Sequence, residues 1–557
     1  MKHLNWRNRN KPVVALIAVV LACWSVGSVQ AVQLDTGPDW RVNLDNTVQY
    51  TIGVRAKDID PNIGNHLFFN QGDYKFPDKG DIVTNRIQDL IEFQGVYKGK
   101  QGFRVSGSVW KDFAYDDDAE INPAYEGFGF NAYTNGKYSD YTSNFFEQGA
   151  ELLDLFVFYN TEIAGRPVYT KLGRFTEYWG NAFFFGFSNI AYSQHPIDYI
   201  KGFSQPGSEV KELFLPRTQV SFTAELTPEL SISAQHFFEY RPNRYPEGGT
   251  YLGFFDILFD GPDTAGAAGI PTDGLVEPDH NNDNFSVRVS WAPEWAGGDL
   301  GFYYRKFDEV DPWAAILNPT TFNMQNTFAE GVTLWGVSYE RTFGLISTAF
   351  ELNQRRDTAL NSAPFIPTNK GASGTITNFI ANTFIQLGKT AIWDTGILLA
   401  EISYTHLDDV TGNKTLYNGK GTANCVNPVT GGPGGVQDGC STDDALAFAM
   451  LFSPQWLQVF PGIDFELPIS VTMGLDGNPA YRAGAFYAED SRIASIGLKA
   501  IYRSNSSITL QYNDYYWNPG PSAVNPIGLP AYAGFGGNGP VSLNDRGWWM
   551  LQFKTSF

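Results

Sequence analysis

Trp548-Trp549-Met550-Leu551-Gln552-Phe553-Lys554-Thr555-Ser556-Phe557 closes the chain, and its side chains alternate in character to the last residue. Successive residues of a strand point to opposite faces. Trp549, Leu551, Phe553, Thr555 and Phe557 therefore share one side, and Met550, Gln552, Lys554 and Ser556 the other. An apolar face kept to the terminus fits a transmembrane barrel, whose last strand must pair with its first and face lipid. The matching partner is residues 40–54. Trp40, Val42, Leu44, Val48, Tyr50, Ile52 and Val54 alternate there with Arg41, Asn43, Asp45, Thr47, Gln49, Thr51 and Gly53, and Asn46 is the one break. Ordinary strands run to about five or six residues. This pattern is more than twice as long, enough to cross a bilayer at a tilt.

Working outward from these two segments, alternating stretches recur about eighteen times along the chain. Short turns fall at 98–101, 161–166, 227–228, 293–297, 343–344, 389–395, 453–462 and 504–505. Long connections fall at 56–85, 116–149, 178–215, 242–281, 308–330, 356–374, 407–443, 477–490 and 518–546. The rhythm predicts an all-β, antiparallel transmembrane barrel of about 18 strands, with turns in the periplasm and long loops outside. A soluble up-and-down barrel or propeller has no reason to alternate loop lengths in this way. The inner face reads as polar. Gln219, Ser221, Thr223 and Glu225 oppose Val220, Phe222, Ala224 and Leu226, and Arg288, Lys499 and Arg503 sit between apolar neighbours. A lumen of this width is not filled by its own side chains, so a plug or constriction is expected.

Before the first strand, Lys2, Arg7, Arg9 and Lys11 precede an apolar run at 13–23 and a small-residue site, Val29-Gln30-Ala31. This reads as a secretion signal over 1–31, with residues 32–557 forming a single outer-membrane barrel domain of a Gram-negative cell. Val20-Leu21-Ala22-Cys23 offers lipoprotein processing as a poorer alternative. Mean hydropathy is −0.24, as suits a chain in which only alternate strand residues meet lipid, and aromatics reach 15%, as suits two interfacial girdles. Net charge is −20, and −24 once the leader's four basic residues are gone. Such an acidic exterior argues against nucleic acid and favours divalent cations or lipopolysaccharide counter-ions. Expected surroundings are outer-membrane lipid and lipopolysaccharide, and Phe557 resembles the signal read by the barrel-assembly machinery. Cys425 and Cys440 flank a segment with no helix or strand tendency. They read as a disulfide in an oxidising compartment, with two free thiols or a metal pair as alternatives; no histidine stands at ligand spacing. Nothing calls for a cofactor.

The connection 178–215 is the candidate constriction. It carries Trp179, Phe183, Phe184, Phe185 and Phe187, a set of rings costly to display to water. Folded into the barrel mouth it would narrow the channel; the alternative is an ordinary packed outer loop. Channel and cargo candidates are Arg174, Glu177, Trp179, Phe184, Asn189, Asp198, Glu209 and Glu212. Charges there either select permeants by sign or pair with one another and fix the loop, while the aromatics could line an apolar path. Two other features invite chemistry. Asp116-Asp117-Asp118 with Glu120 could hold Ca²⁺ but lacks the glycine and spacing of a dedicated loop, which favours a solvated acidic rim. His236 on the outer face would need a neighbouring hydroxyl to act as a lipase, and Val220, Phe222 and Phe238 are its expected neighbours.

Leu172-Gly173-Arg174, Trp179-Gly180, Asn189-Ile190, Pro196-Ile197-Asp198, Pro206-Gly207-Ser208-Glu209-Val210-Lys211-Glu212 and Leu215-Pro216 resemble the signature of the proteobacterial outer-membrane proteins grouped as domain of unknown function 1302. Leu226-Thr227-Pro228-Glu229-Leu230-Ser231, Ser453-Pro454-Gln455-Trp456 and Leu543-Asn544-Asp545-Arg546 extend the likeness. The family's more usual Gly-Arg-Gln-Val-Val-Ser-Trp-Gly is replaced by Gly173-Arg174-Phe175-Thr176-Glu177-Tyr178-Trp179-Gly180. The resemblance implies a barrel that acts with a periplasmic partner and an inner-membrane efflux-type transporter on hydrophobic compounds; it supplies no catalytic or binding residues. The expectation is thus a non-enzymatic conduit for hydrophobic or amphipathic small molecules. A passive porin for small polar or anionic solutes is the first rival, and an outer-membrane hydrolase the second.

Overall fold

The computed structural model describes residues 32–34, 37–205, 210–265, 269–279, 283–313 and 315–557. The secretion signal, the Cys23 alternative and Glu209 lie outside these. Eighteen antiparallel strands close into a barrel, each paired with its neighbour in sequence. The seam joins Trp40–Arg55 to Trp548–Ser556, with Tyr50 opposite Phe553 and Ile52 opposite Leu551. Asn46 and Phe557 exchange backbone hydrogen bonds and fasten the end of that seam. A short strand, Val32–Leu34, lies outside the circle and pairs with residues 42–44. One strand is split into Ile463–Glu466 and Ile469–Asp476, because Pro468 supplies no N–H to the ladder; both halves pair with the same two neighbours.

The period-two reading carries through. Trp549 and Leu551 stay nearly half exposed on the outer face while Gln552 is 4% exposed inside. Phe350, Leu352, Phe379 and Ile402 line the same outer face, and Glu351, Asn353, Asn378 and Glu401 alternate with them inward. Tight turns, the start of Trp40–Arg55 and the end of Trp548–Ser556 gather at one rim, and the described parts of the nine long connections at the other. Among the described residues no helix is long and apolar enough to cross a membrane.

Three boundaries differ from the sequence reading. Residues 453–460 continue the strand Asp444–Phe460, so the turn there is only Pro461-Gly462. Pro454 is tolerated because its carbonyl still accepts a hydrogen bond, from Leu467 N. The strands Ile346–Ala359 and Thr395–Gly412 run past Arg356 and Leu407. Beyond the apolar belt water surrounds the ladder, and polar side chains no longer signal its end.

The long connections pack into a continuous aromatic cap over one mouth, with Phe69, Tyr133, Tyr251, Ile257, Trp517 and Trp548 buried in it. A charge network pins this cap to the seam. Asp73 lies 2.9 Å from Arg55 and 3.3 Å from Arg546, and Arg546 also donates to the carbonyls of Phe69, Tyr251 and Gly253. This accounts for Leu543-Asn544-Asp545-Arg546: Arg546 ties three loops together, and Asn544 holds Trp517 through two backbone bonds. Cys425 and Cys440 form a disulfide, which decides among the three readings of that pair. The acidic run pairs with lysines, Asp116 with Lys75 and Asp117 and Asp118 with Lys137.

Placing a charge on the outer face tests its contact with lipid. Leu551→Arg should destabilise the barrel by about 2–4 kcal/mol in phospholipid vesicles, measured by reversible urea unfolding. An unchanged midpoint would show that this face does not meet lipid.

Candidate functional site

The described residues of the connection 178–215 enter the lumen and cross it. The strand that feeds them, Arg166–Phe175, is the fifth of the barrel. Their anchors lie on the eleventh and thirteenth strands, Ile346–Ala359 and Thr395–Gly412, nearly opposite. Glu351 accepts backbone hydrogen bonds from Asn181, from Ala182 at 3.1 Å and from Ile190 at 2.9 Å. Glu401 accepts from three consecutive residues, Phe183 at 2.6 Å and Phe184 and Phe185 at 2.9 Å each. An irregular segment leaves its N–H groups without a ladder, and two carboxylates supply the missing acceptors; charge makes each bond stronger than its neutral counterpart. Gly180 is required at the first anchor, because a Cβ there would come within 2.5 Å of Glu351 Oε1, and its φ is +97°.

Amide and hydroxyl side chains complete the latch. Asn353 Nδ2 donates to Ser188 O, Asn382 Nδ2 to Asn181 O, and the Ser188 and Ser403 hydroxyls lie 2.8 Å apart. Arg305 Nη1 donates to the carbonyls of Ile190 and Tyr192 at 2.6 and 2.7 Å. Between these anchors Trp179, Phe185, Phe187 and Ile190 pack on inward Leu334, Ile376, Ile380, Ala447 and Ala449. The lumen wall is therefore not uniformly polar. Here apolar residues point inward as well as outward, because the inserted segment needs a dry surface to bury its rings.

The return half of the loop leans on the other wall. Asp198 accepts from Lys201 N at the start of the helix Tyr199–Ser204, and pairs with Arg244 at 2.7 Å. Arg244 in turn pairs with Glu151 at 2.9 Å. Glu212 accepts from Gln88 Nε2 at 3.0 Å and lies 3.9 Å from Lys554, and Gln205 receives a bond from Gln49. The loop thus touches strands on both sides of the barrel.

Of the eight sequence candidates, Trp179, Phe184, Asn189, Asp198 and Glu212 belong to the inserted segment or its stem. Glu177 stands at its entry, accepting from Gln235. Arg174 does not face the lumen: it sits opposite outward Leu155 and pairs with Glu239 at 4.0 Å. Two residues after outward Leu172 in an unbroken register, it follows the strand's plain alternation. The loop carboxylates pair with barrel and neighbouring-loop groups rather than with one another. The residues sequence reasoning missed are Glu351, Glu401 and Arg305. In the chain each is one charge in the middle of an alternating strand, with nothing to mark it from the other inward polar residues.

Two cavities flank the constriction. One, of about 720 Å³, lies toward the turn rim between Arg104, Asp154 and Lys171 of the wall and Tyr178, Phe183 and Phe184 of the loop. The other, of about 200 Å³, lies toward the cap and is lined by Tyr245, Phe254, Phe259, Trp313, Phe365 and Phe486. His195 packs between Tyr178 and Phe214. Burial, with the Arg305 and Arg217 guanidiniums nearby, holds its imidazole down to about 3. His236 faces outward beside Val220 and Phe285, neither of which carries a hydroxyl.

The family model described as "Protein of unknown function (DUF1302)" matches residues 12–557. No curated protein sequence matches the chain. Among solved structures it is similar to Acinetobacter baumannii OccAB2, with 10% identity over 93% of this chain and 98% of that one and a TM-score of 0.41. Pseudomonas aeruginosa OccD3 (OpdP) gives 14%, 95% and 93%, and 0.39. The outer membrane channel DcaP of Acinetobacter baumannii gives 10%, 95% and 100%, and 0.34.

Two measurements probe the latch. Glu351→Ala with Glu401→Ala leaves six N–H groups without these acceptors, and the three buried ones, of Ala182, Phe185 and Ile190, are worth about 1–3 kcal/mol each. Hydrogen exchange at residues 181–190 should accelerate by at least about tenfold while barrel amides stay protected. Acid should act in the same direction. His195 is uncharged when inserted and takes up a proton near 6.5 once released, so its own contribution to the inserted state is complete above pH 6.5. It weakens by about 1.4 kcal/mol per pH unit as pH falls from there toward 3. His195→Phe should flatten the acid branch of the exchange profile; a wild-type profile free of any acid branch would refute the assignment.

Proposed function

The chain belongs to the DUF1302 family of proteins of unknown function, and from that premise and its geometry we propose that it is an outer-membrane channel for hydrophobic or amphipathic small molecules, gated by residues 178–215. In this reading the leader 1–31 exports it, the turn rim faces the periplasm and the aromatic cap faces outward. The observation that carries the reading is the plug itself. A segment rich in rings crosses the lumen, is held by the two carboxylates Glu351 and Glu401, and separates an aromatic cavity from a wider vestibule. A plug held by exchangeable hydrogen bonds can be displaced without unfolding the wall around it, and rings along the path give apolar cargo a surface preferable to water. A periplasmic partner and an inner-membrane efflux-type transporter would drive such cargo through; the turn rim is where they would dock.

The vestibule favours a second reading. Arg104, Asp154 and Lys171 make it wet, and a neighbouring cavity that shares Arg104 and Lys171 adds Asn160 and Thr223, as in a passive porin for small polar or anionic solutes. Planar-bilayer recording separates the two. The gated conduit predicts a wild-type protein that is closed for most of the record, and a Glu351→Ala/Glu401→Ala variant with long openings. A steady wild-type current on the order of a nanosiemens, as in a wide water-filled pore, would favour the porin and sink the gate.

A further inference from the structure

The vestibule on the turn side of the constriction holds one charge that the protein leaves unanswered. Lys171 stands next to outward Leu172 and opposite Phe158 and Ser221, and it lines both the vestibule and the cavity adjoining it. No carboxylate of the described residues forms an ion pair with it; its ammonium lies instead 5.5 Å from the ring centre of Phe175 and 5.9 Å from that of Phe156. The other charges of the vestibule are engaged. Arg104 is shared between Glu92 and Asp154, the latter at 3.0 Å. Asp311 is 2% exposed and accepts from Asn243 and Tyr245, and His195 is held uncharged. Glu177, in the adjoining cavity, accepts from Gln235 and makes no ion pair with Lys171. One ring is also left uncovered. Phe183, whose amide is fixed by Glu401, lines the same vestibule and is 46% exposed inside the barrel.

An ammonium partly withdrawn from water gains more from a counter-charge than one in bulk solvent, because less water screens the pair. A ring bared inside the lumen gains from apolar cover. One solute answers both needs if it carries a single negative charge on an apolar body. A cation would meet Lys171 at like sign. An uncharged ring would cover Phe183 and leave the ammonium alone, and a small anion without an apolar body would do the reverse. An aromatic body suits the wall, since Phe156, Phe175 and Phe184 offer further faces and edges to it. At about 720 Å³ the vestibule falls in the range of sites that enclose small molecules. We propose that it is a binding site for a singly charged amphipathic anion, an acidic head on an aromatic body, with the head on Lys171 Nζ and the body against Phe156 and Phe183. As an assignment of cargo class this rests on the conduit reading; as a binding site it does not.

The test uses the full-length protein in detergent, with empty micelles subtracted, and four probes: 2-naphthoate, 2-naphthamide, 2-naphthylmethylammonium and acetate. Calorimetry gives the affinities, and mass spectrometry after brief reductive methylation reports how accessible Lys171 Nζ is. Wild type should bind 2-naphthoate at least about tenfold more tightly than each other probe, and saturating 2-naphthoate should protect Lys171 from methylation. Lys171→Gln should weaken 2-naphthoate by about tenfold, whereas Lys171→Arg, which keeps the charge, should retain most of the affinity. Phe183→Ala should weaken 2-naphthoate and leave acetate unchanged. Equal affinity of wild type for 2-naphthoate and any other probe, undiminished affinity in Lys171→Gln, or methylation of Lys171 indifferent to 2-naphthoate would each overturn the proposal. If the glutamine variant does not fold, judged by its heat-modifiable gel mobility, the wild-type ranking and the methylation decide. Because no current is read, a porin-like conductance would refute the gate and leave this site standing, and absent selectivity would refute the site and leave the gate standing.

Discussion

Every backbone amide in the wall must find its partner on an adjacent strand, and the circle must close for the first and last strands to find theirs. That one requirement arranges the rest. An open edge in hydrocarbon would strand a row of N–H and C=O groups at several kcal/mol each. The pairing of Trp40–Arg55 with Trp548–Ser556 removes that edge. Closure then sorts side chains onto two faces, makes the outer one apolar, and leaves a lumen that its own side chains cannot fill. The buried Arg55–Asp73–Arg546 network sits at the same seam and ties the cap to it.

The lumen is occupied by chain rather than by side chains, which raises a second problem of satisfaction. The described residues of 178–215 have little regular structure, so their N–H groups need acceptors from outside. Glu351 and Glu401 meet that need from the far wall, and an apolar sector around Leu334, Ile376 and Ile380 receives the rings. The two devices differ in kind. Apolar burial holds the segment without direction, while the carboxylates fix its register residue by residue. A plug built this way has a single docked position and a defined set of bonds to exchange for water on release. The arginines along the wall serve the same segment, since Arg305 and Arg217 both donate to carbonyls of residues 190–193.

The aromatic cap extends this logic to the outer mouth. Long connections that would expose many rings instead bury them against one another, and Arg546 binds its own connection to two others through backbone carbonyls. The chamber at Asp311 is what this packing leaves beside the plug, and the plug's own Tyr192 and Tyr199 line the vestibule on its other side.

The architecture was legible in the chain because a barrel wall is written locally. Each strand's alternation depends only on its own residues, turn and loop lengths are read directly, and the terminal segment displays both faces without help from any neighbour. Even the aromatic loop identified itself by being too apolar for water. The sequence could not show which wall groups receive that loop. Glu351 and Glu401 lie 161 or more residues from the amides they accept, and their side chains look like any other inward polar residue. Nor could it show that Asp311 stands between two cavities. Those are facts of closure. Strand patterns encode the direction of each side chain relative to its own ribbon, whereas what stands across a lumen is set only when eighteen ribbons have met.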